Sequence, residues 1–320
     1  MSTLTPVQIT GFLLAGYAVV GNDVIQTLGT FMTSNARRHW AVLWAYASAI
    51  LVGTMLAGWF LNGGDVTYGR LSRIPLPAYL EWWYLLPPLV LLAITYLGLP
   101  VSTTFMILSV FSSGQVIEKM ILKSVTSYAV AFVSAFLIYL VIARRFESKS
   151  SLDKMEVKKN RKVWLVGQWF STGFLWSQWL IQDFANIFVY LPRRLTVVQL
   201  VGSLAAILIL LALVFRSRGG RIQEVVRQKV NSANIRSATL IDLTYGIVLY
   251  LFTMINPIPM STTWCFVGIL AGREYAINHL LNRQLIKDTY KKIFRDLYKV
   301  NLGLMVSVVI ALVIRIMMKQ

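Results

Sequence analysis

The chain has 320 residues, 57% of them hydrophobic and only 14% charged, with a mean hydropathy of +0.63. Soluble domains carry about 25% charged residues, so the composition excludes a soluble domain and points to a multi-pass membrane protein. The net charge of +18 does not indicate a nucleic-acid partner, because the basic residues cluster between apolar runs, where the positive-inside rule places them.

The N-terminus, MSTLTPV, lacks a basic n-region, so no cleaved signal peptide is expected. The first apolar stretch contains Asn22, Asp23 and Gln26, and a loop with Arg37, Arg38 and His39 follows it. The run Ala41–Leu61 approaches spanning length, as do Val125–Ala143, Val163–Val189, Val197–Phe215 and Leu302–Ile314. Between the first two lies Trp82–Ser113, apolar but broken by Gly98 and Pro100, after which comes Ser102-Thr103-Thr104. The central loop, Arg144 to Lys162, is strongly basic. Beyond it, Val163–Val189 contains Gln182, Asp183 and Asn186. A second broken segment, Leu240–Gly272, holds Asn256, Pro257 and Pro259 and then Ser261-Thr262-Thr263.

Loop charges give a topology. The loops Ser34–Trp40, Arg144–Lys162, Arg216–Arg236 and Arg273–Lys299 carry two, eight, six and seven Lys or Arg, 23 of the chain's 31. All four fall on the cytoplasmic side only if each broken segment enters and leaves the membrane on one face. A re-entrant hairpin does this, since irregular backbone at membrane depth must be buried or line a watery cavity. The first hairpin then opens outward, the second inward, and both termini lie outside. Asp183 follows Asp23 by 160 positions, and the second Ser-Thr-Thr tract follows the first by 159. The expected fold is therefore all-α, with inverted repeats over residues 1–143 and 163–320 joined by a basic cytoplasmic linker, 144–162. Inverted repeats with broken helices meeting near the midplane mark secondary transporters.

The two kinds of polar tract suit ions of opposite sign. Each Ser-Thr-Thr offers an N-cap, free backbone N–H groups, hydroxyl donors and a positive helix end, the ingredients of an oxyanion site. Two such ends facing each other can hold a tetrahedral oxyanion without any Lys or Arg; the plainer alternative is that Ser and Thr cap or cross-link membrane helices. Asp in a span costs about 2.5–3.5 kcal/mol on insertion scales. The oxygens of Asn22, Asp23, Gln26, Gln182, Asp183 and Asn186 suit a hard cation such as Na⁺ held at Asp23 and Asp183. The same carboxylates can instead carry a proton or bond to a neighbouring helix.

At these residues the sequence resembles the inorganic phosphate transporter (PiT) family. VGNDVIQTLGT (Val20 to Thr30) is similar to that family's Gly-Ala-Asn-Asp-Val-Ala-Asn-Ser-x-Gly-Thr fingerprint. GLPVSTT (Gly98 to Thr104) and, less closely, PIPMSTT (Pro257 to Thr263) resemble its Gly-Leu-Pro-Val-Ser-Thr-Thr-His tract. The resemblance implies an inverted-repeat fold, a homodimer in the cell (inner) membrane, and phosphate uptake coupled to Na⁺ or H⁺. It assigns the oxyanion mainly to Ser102, Thr103, Thr104, Ser261, Thr262 and Thr263, and the cation to the Asp tracts. The chain departs from the family pattern at Phe105 and Trp264, where the family has His, at Gln26, and at Leu180-Ile181-Gln182. Sulfate, a similar oxyanion, is the alternative substrate, and a non-transporting phosphate receptor the alternative class.

Other features carry less. Cys265 is the only cysteine, and neither His39 nor His279 has the Cys or His company of a metal site. The ten tryptophans, including Trp82, Trp83 and Trp164, are expected mostly near segment ends as interfacial anchors. The run His279 to Tyr298 is expected as an amphipathic helix along the cytoplasmic surface. No P-loop, dinucleotide fingerprint or cofactor motif is present, so neither ATP-driven pumping nor enzymatic chemistry is expected.

Overall fold

The computed structural model of the chain describes residues 4–96, 101–146, 161–217, 235–281 and 286–317. Gly98 and Pro100, most of the central basic loop, residues 218–234 and part of the basic run after His279 lie outside the described residues.

The molecule is an all-α membrane protein. Its helices are α1 (Pro6–Ser34), α2 (Trp40–Leu61), α3 (Leu86–Tyr96, preceded by a 3₁₀ turn at Trp82–Leu85), α4 (Thr103–Phe111) and α5 (Gly114–Phe146), then α6 (Arg161–Phe188), α7 (Val197–Arg216), α8 (Ile235–Ile255), α9 (Thr262–Leu281) and α10 (Ile286–Met317). Among the described residues, five helical stretches are long and apolar enough to cross a bilayer: Pro6–Val24, Trp40–Leu61, Gly114–Val141, Val197–Arg216 and Ile235–Ile255. Their outward residues, among them Val133, Leu137, Ile209 and Leu213, are exposed apolar groups suited to lipid. α6 is as long as these but carries buried Gln168, Thr172, Gln178, Gln182, Asp183 and Asn186 toward the interior.

Local chemistry sets the ends. Thr5 and Gln8 form a capping box that starts α1, with Pro6 in the first turn, and Thr196 and Gln199 do the same for α7. The stretch between α2 and α3 turns back on itself with Gly63, Gly64, Tyr68 and Gly69 at positive φ. Asp65 accepts from the backbone N–H groups of Thr67 (2.7 Å) and Gly69 (2.8 Å), and Arg193 donates to the Ile74 carbonyl. This folded loop carries Arg70 into the interior, where it is 2% exposed.

The order of elements in the first half recurs in the second, and so does their packing. α4 packs on α10 as α9 packs on α5; α1 packs on α3 as α6 packs on α8. Each tip-bearing helix thus leans on the last helix of the other half, and the halves interlace. α9 meets α5 most closely through Gly268 and Gly272, where a Cβ would lie 2.5 Å from the Tyr128 carbonyl oxygen and 2.1 Å from that of Phe132. Small residues four apart let membrane helices approach backbone to backbone.

The structure adds two details and corrects one expectation. The helices on either side of the second break are longer than those of the first: α8 and α9 have 21 and 20 residues, against 11 and 9 for α3 and α4. The basic run after His279 is not a separate surface helix, because α10 continues unbroken from Ile286 into the apolar stretch beyond Asn301. Not all tryptophans are interfacial. Trp176 and Trp179 stack 4.9 Å apart in the core, where the Trp176 indole N–H donates to the Ala47 carbonyl.

Candidate functional site

Both Ser-Thr-Thr tracts start helices. Ser102 caps α4, its hydroxyl accepting from the Phe105 N–H at 3.3 Å, and the Ser261 hydroxyl accepts from the Trp264 N–H at 3.3 Å at the start of α9. Capping occupies a lone pair and leaves each hydroxyl proton free to donate. All six hydroxyl residues are at most 2% exposed.

The two helix starts meet. The Thr104 hydroxyl donates to the Met260 carbonyl at 3.1 Å, and the Thr263 hydroxyl donates to the Val101 carbonyl at 3.4 Å. Met260 and Val101 hold the same position in their tracts, so the contact is an exchange of equivalent bonds. The second start is fixed further by Ser124, whose hydroxyl accepts from the Ser261 N–H at 2.9 Å, and by Tyr245, which donates to the Thr262 carbonyl at 2.9 Å.

The acidic tracts of α1 and α6 close on this junction. Thr103 donates to Asp23 Oδ2 at 2.5 Å, while Asn22 (2.9 Å) and Gln26 (3.3 Å) donate to Asp23 Oδ1. Asn22 also donates to the Val101 carbonyl at 3.0 Å. On α6, Asn186 donates to Asp183 Oδ1 at 2.5 Å and to the hydroxyls of Thr103 and Thr104 at 3.2 Å each. Thr104 reaches Asp183 Oδ1 at 3.4 Å, and Asp23 and Asp183 lie close enough to interact electrostatically. All twelve sequence-predicted residues are therefore buried, and most share one hydrogen-bond network. Gln182 is the outlier, since its amide turns to the Thr253 hydroxyl at 2.7 Å.

The two halves mirror each other here: Thr103 donates to Asp23, and the Thr262 side chain hydrogen-bonds Asp183 in the same way. Asn186 Oδ1 and Gln182 Oε1 are buried acceptors without a donor, although buried polar atoms normally find partners.

Beside Arg236, three further buried charged residues were missed from the sequence. Asp242 on α8 accepts from Thr30 at 2.6 Å and Thr172 at 2.5 Å, tying α8 to α1 and α6. Its signal was an acid inside a span-length apolar segment, the same signal that singled out Asp23. Lys123 on α5 donates to the Asn256 carbonyl (2.9 Å), the Asn256 side-chain oxygen (3.0 Å) and the Ile258 carbonyl (2.8 Å), pinning the turn before the second tract. Arg70 donates from Nε to the Ile181 carbonyl at 2.9 Å, two residues before Asp183. Nothing local to Lys123 or Arg70 announces burial.

No protein-family model and no curated protein sequence matches the chain. Among solved structures it is similar to one described as the sodium-dependent phosphate transporter, with 16% sequence identity and a TM-score of 0.63 over 97% of this chain and 98% of that one. At that identity the likeness establishes the fold, shared over almost the whole of both chains.

Proposed function

We propose that the chain is a secondary transporter that moves inorganic phosphate across the membrane, driven by a cation, Na⁺ in the first instance. The observation that carries this is the junction itself: two capped helix starts, rich in hydroxyl donors, closed on two buried aspartates. The similar fold of a protein described as a sodium-dependent phosphate transporter supports it.

The chemistry is complementary. A multivalent anion does not enter a low-dielectric site on dipoles alone, and a cation at the carboxylate and amide oxygens of the two Asp tracts offsets its charge. The anion takes over the hydroxyls of Thr104 and Thr263 that now bond the opposite carbonyls, so loading exchanges tip-to-tip bonds for tip-to-substrate bonds. Residues 1–143 and 163–320 act as inverted repeats, 144–162 is their cytoplasmic link, and motion of one bundle against the other exposes the site alternately. Both termini outside, a homodimer and the cell (inner) membrane complete the reading. Phe105 and Trp264 fill the family's His positions, so coupling here runs without those imidazoles.

The test is uptake of labelled phosphate into proteoliposomes under an inward Na⁺ gradient, under a proton gradient, and with excess unlabelled sulfate. Na⁺-driven uptake that sulfate does not compete away is expected. Proton-driven uptake reassigns the coupling ion, and sulfate uptake in place of phosphate reassigns the substrate. Saturable phosphate binding without transport under either gradient makes the protein a receptor.

A further inference from the structure

Three basic side chains sink from the loops or helix ends around the junction, and their donors have different fates. Arg193 places Nε and Nη2 on the Ile74 carbonyl and Nη1 on those of Val189 and Leu191. Lys123 has three donors and three oxygen partners, all neutral. Both are fully engaged in holding backbone. Arg70 is not. Its Nε is anchored by the Ile181 carbonyl, but its Nη1 is buried without a hydrogen-bond partner.

The place of that idle donor matters. Ile181 directly precedes Gln182 and Asp183, so the Nε anchor at 2.9 Å sets the guanidinium beside the acidic tract of α6. Arg70 is close enough to interact electrostatically with Asp183 and with Lys123, which pins the turn before the second tract. A buried charged donor without a partner thus lies near the junction. A guanidinium is the side chain best shaped to bind a tetrahedral oxyanion through two parallel N–H bonds, and it stays charged when buried. A buried, anchored guanidinium with an unpartnered Nη1 is placed to make such a contact.

We infer that Arg70 is a direct oxyanion contact, supplying a fixed positive charge to the substrate from the α2–α3 loop in addition to the two Ser-Thr-Thr tracts. This rests on the transport reading above and adds to it a charged group that the paired helix starts alone do not require. Arg70 sits on a loop and not on a tip, so the loop takes part in substrate selection.

The test is equilibrium binding of labelled phosphate, and separately of labelled sulfate, to the purified full-length protein and to Arg70→Gln, Arg70→Lys and Arg193→Gln. Thermal unfolding of each variant is measured alongside. Arg70→Gln is expected to weaken phosphate binding by at least about tenfold, the scale of one charge-assisted hydrogen bond. Arg70→Lys, which keeps charge but loses the fork, is expected to fall between it and the parent. Arg193→Gln is expected to lower the unfolding temperature and leave affinity unchanged. If Arg70→Gln does not fold, Arg70→Lys decides, and unchanged affinity in that variant overturns the contact. Parental phosphate binding that survives Arg70→Gln overturns the contact and leaves the transport reading standing. Binding of sulfate alone, weakened by Arg70→Gln, sustains the contact and overturns phosphate as substrate. Binding of neither ion overturns both.

Discussion

Asp23 and Asp183 occupy equivalent positions but have unequal surroundings. Asp23 takes its hydrogen bonds from Asn22, Gln26 and Thr103, while Asp183 takes them from Asn186, Thr104 and Thr262 and has Arg70 near it. Asn at either position removes a charge from a network of charge-assisted bonds, each worth about 1.5–3 kcal/mol. Asp23→Asn and Asp183→Asn are both expected to abolish uptake with folding intact. Ser102→Ala and Ser261→Ala are each expected to raise the Michaelis constant for phosphate. Each also removes an N-cap, with a loss of about 0.5–2 kcal/mol of stability, so Ser→Asn at the same site is the control that keeps the cap. Asp242→Ala leaves the buried hydroxyls of Thr30 and Thr172 without their acceptor. A loss of about 1–3 kcal/mol per orphaned group is expected as a lower unfolding temperature, whereas Asp242→Asn retains most of the stability.

Among the elements, α9 against α5 is the tightest joint. Gly268 and Gly272 lie on the α5 backbone itself, where a larger side chain has no flexible neighbour to displace. Gly272→Leu is expected to destabilise the protein by about 1–3 kcal/mol or more, as overpacking does, and to disturb the second tract, which opens the same helix. Gly53→Leu, at a position in α2 with no neighbour within 4 Å of a Cβ, is expected to have little effect on unfolding temperature. How far the elements were legible in the sequence follows from the same physics. The breaks before Ser102 and Ser261 could be read because proline and hydroxyl residues in an apolar run have few structural meanings. The length of α8 and α9 could not, because the polar stretches flanking Leu240–Gly272 read as loop when they are helix. Arg70 was illegible for a related reason. Its burial depends on how Gly63, Gly64 and Gly69 turn a polar-looking loop inward, and that is decided by contacts with Arg193, Leu195 and Trp59 far along the chain.

At the scale of the molecule, the two halves are not separable bodies, since α4 packs on α10 and α9 on α5. The two-part character could be read from the spacing of the Asp and Ser-Thr-Thr tracts, but the crossing of α4 onto α10 and α9 onto α5 could not, because repeats report similarity and not which copy packs on which. Residues 1–146 and 161–320 expressed as two chains are expected to regain uptake only when made in the same membrane. Purified singly, neither is expected to be monodisperse. Transport by the first piece alone overturns the requirement for both tracts.

The interlacing has a consequence for biosynthesis. When ribosomes deliver this protein to the membrane, α5 is complete long before α9 exists, so the groove over Tyr128 and Phe132 that receives Gly268 and Gly272 stands open while the rest is made. Asp23 does not wait, since Asn22, Gln26 and Thr103 all belong to the first half. The newborn first half therefore holds an unfilled helix seam in lipid, a state that invites capture by quality-control proteases or insertion chaperones. Maturation is expected to depend on how quickly the second half is translated.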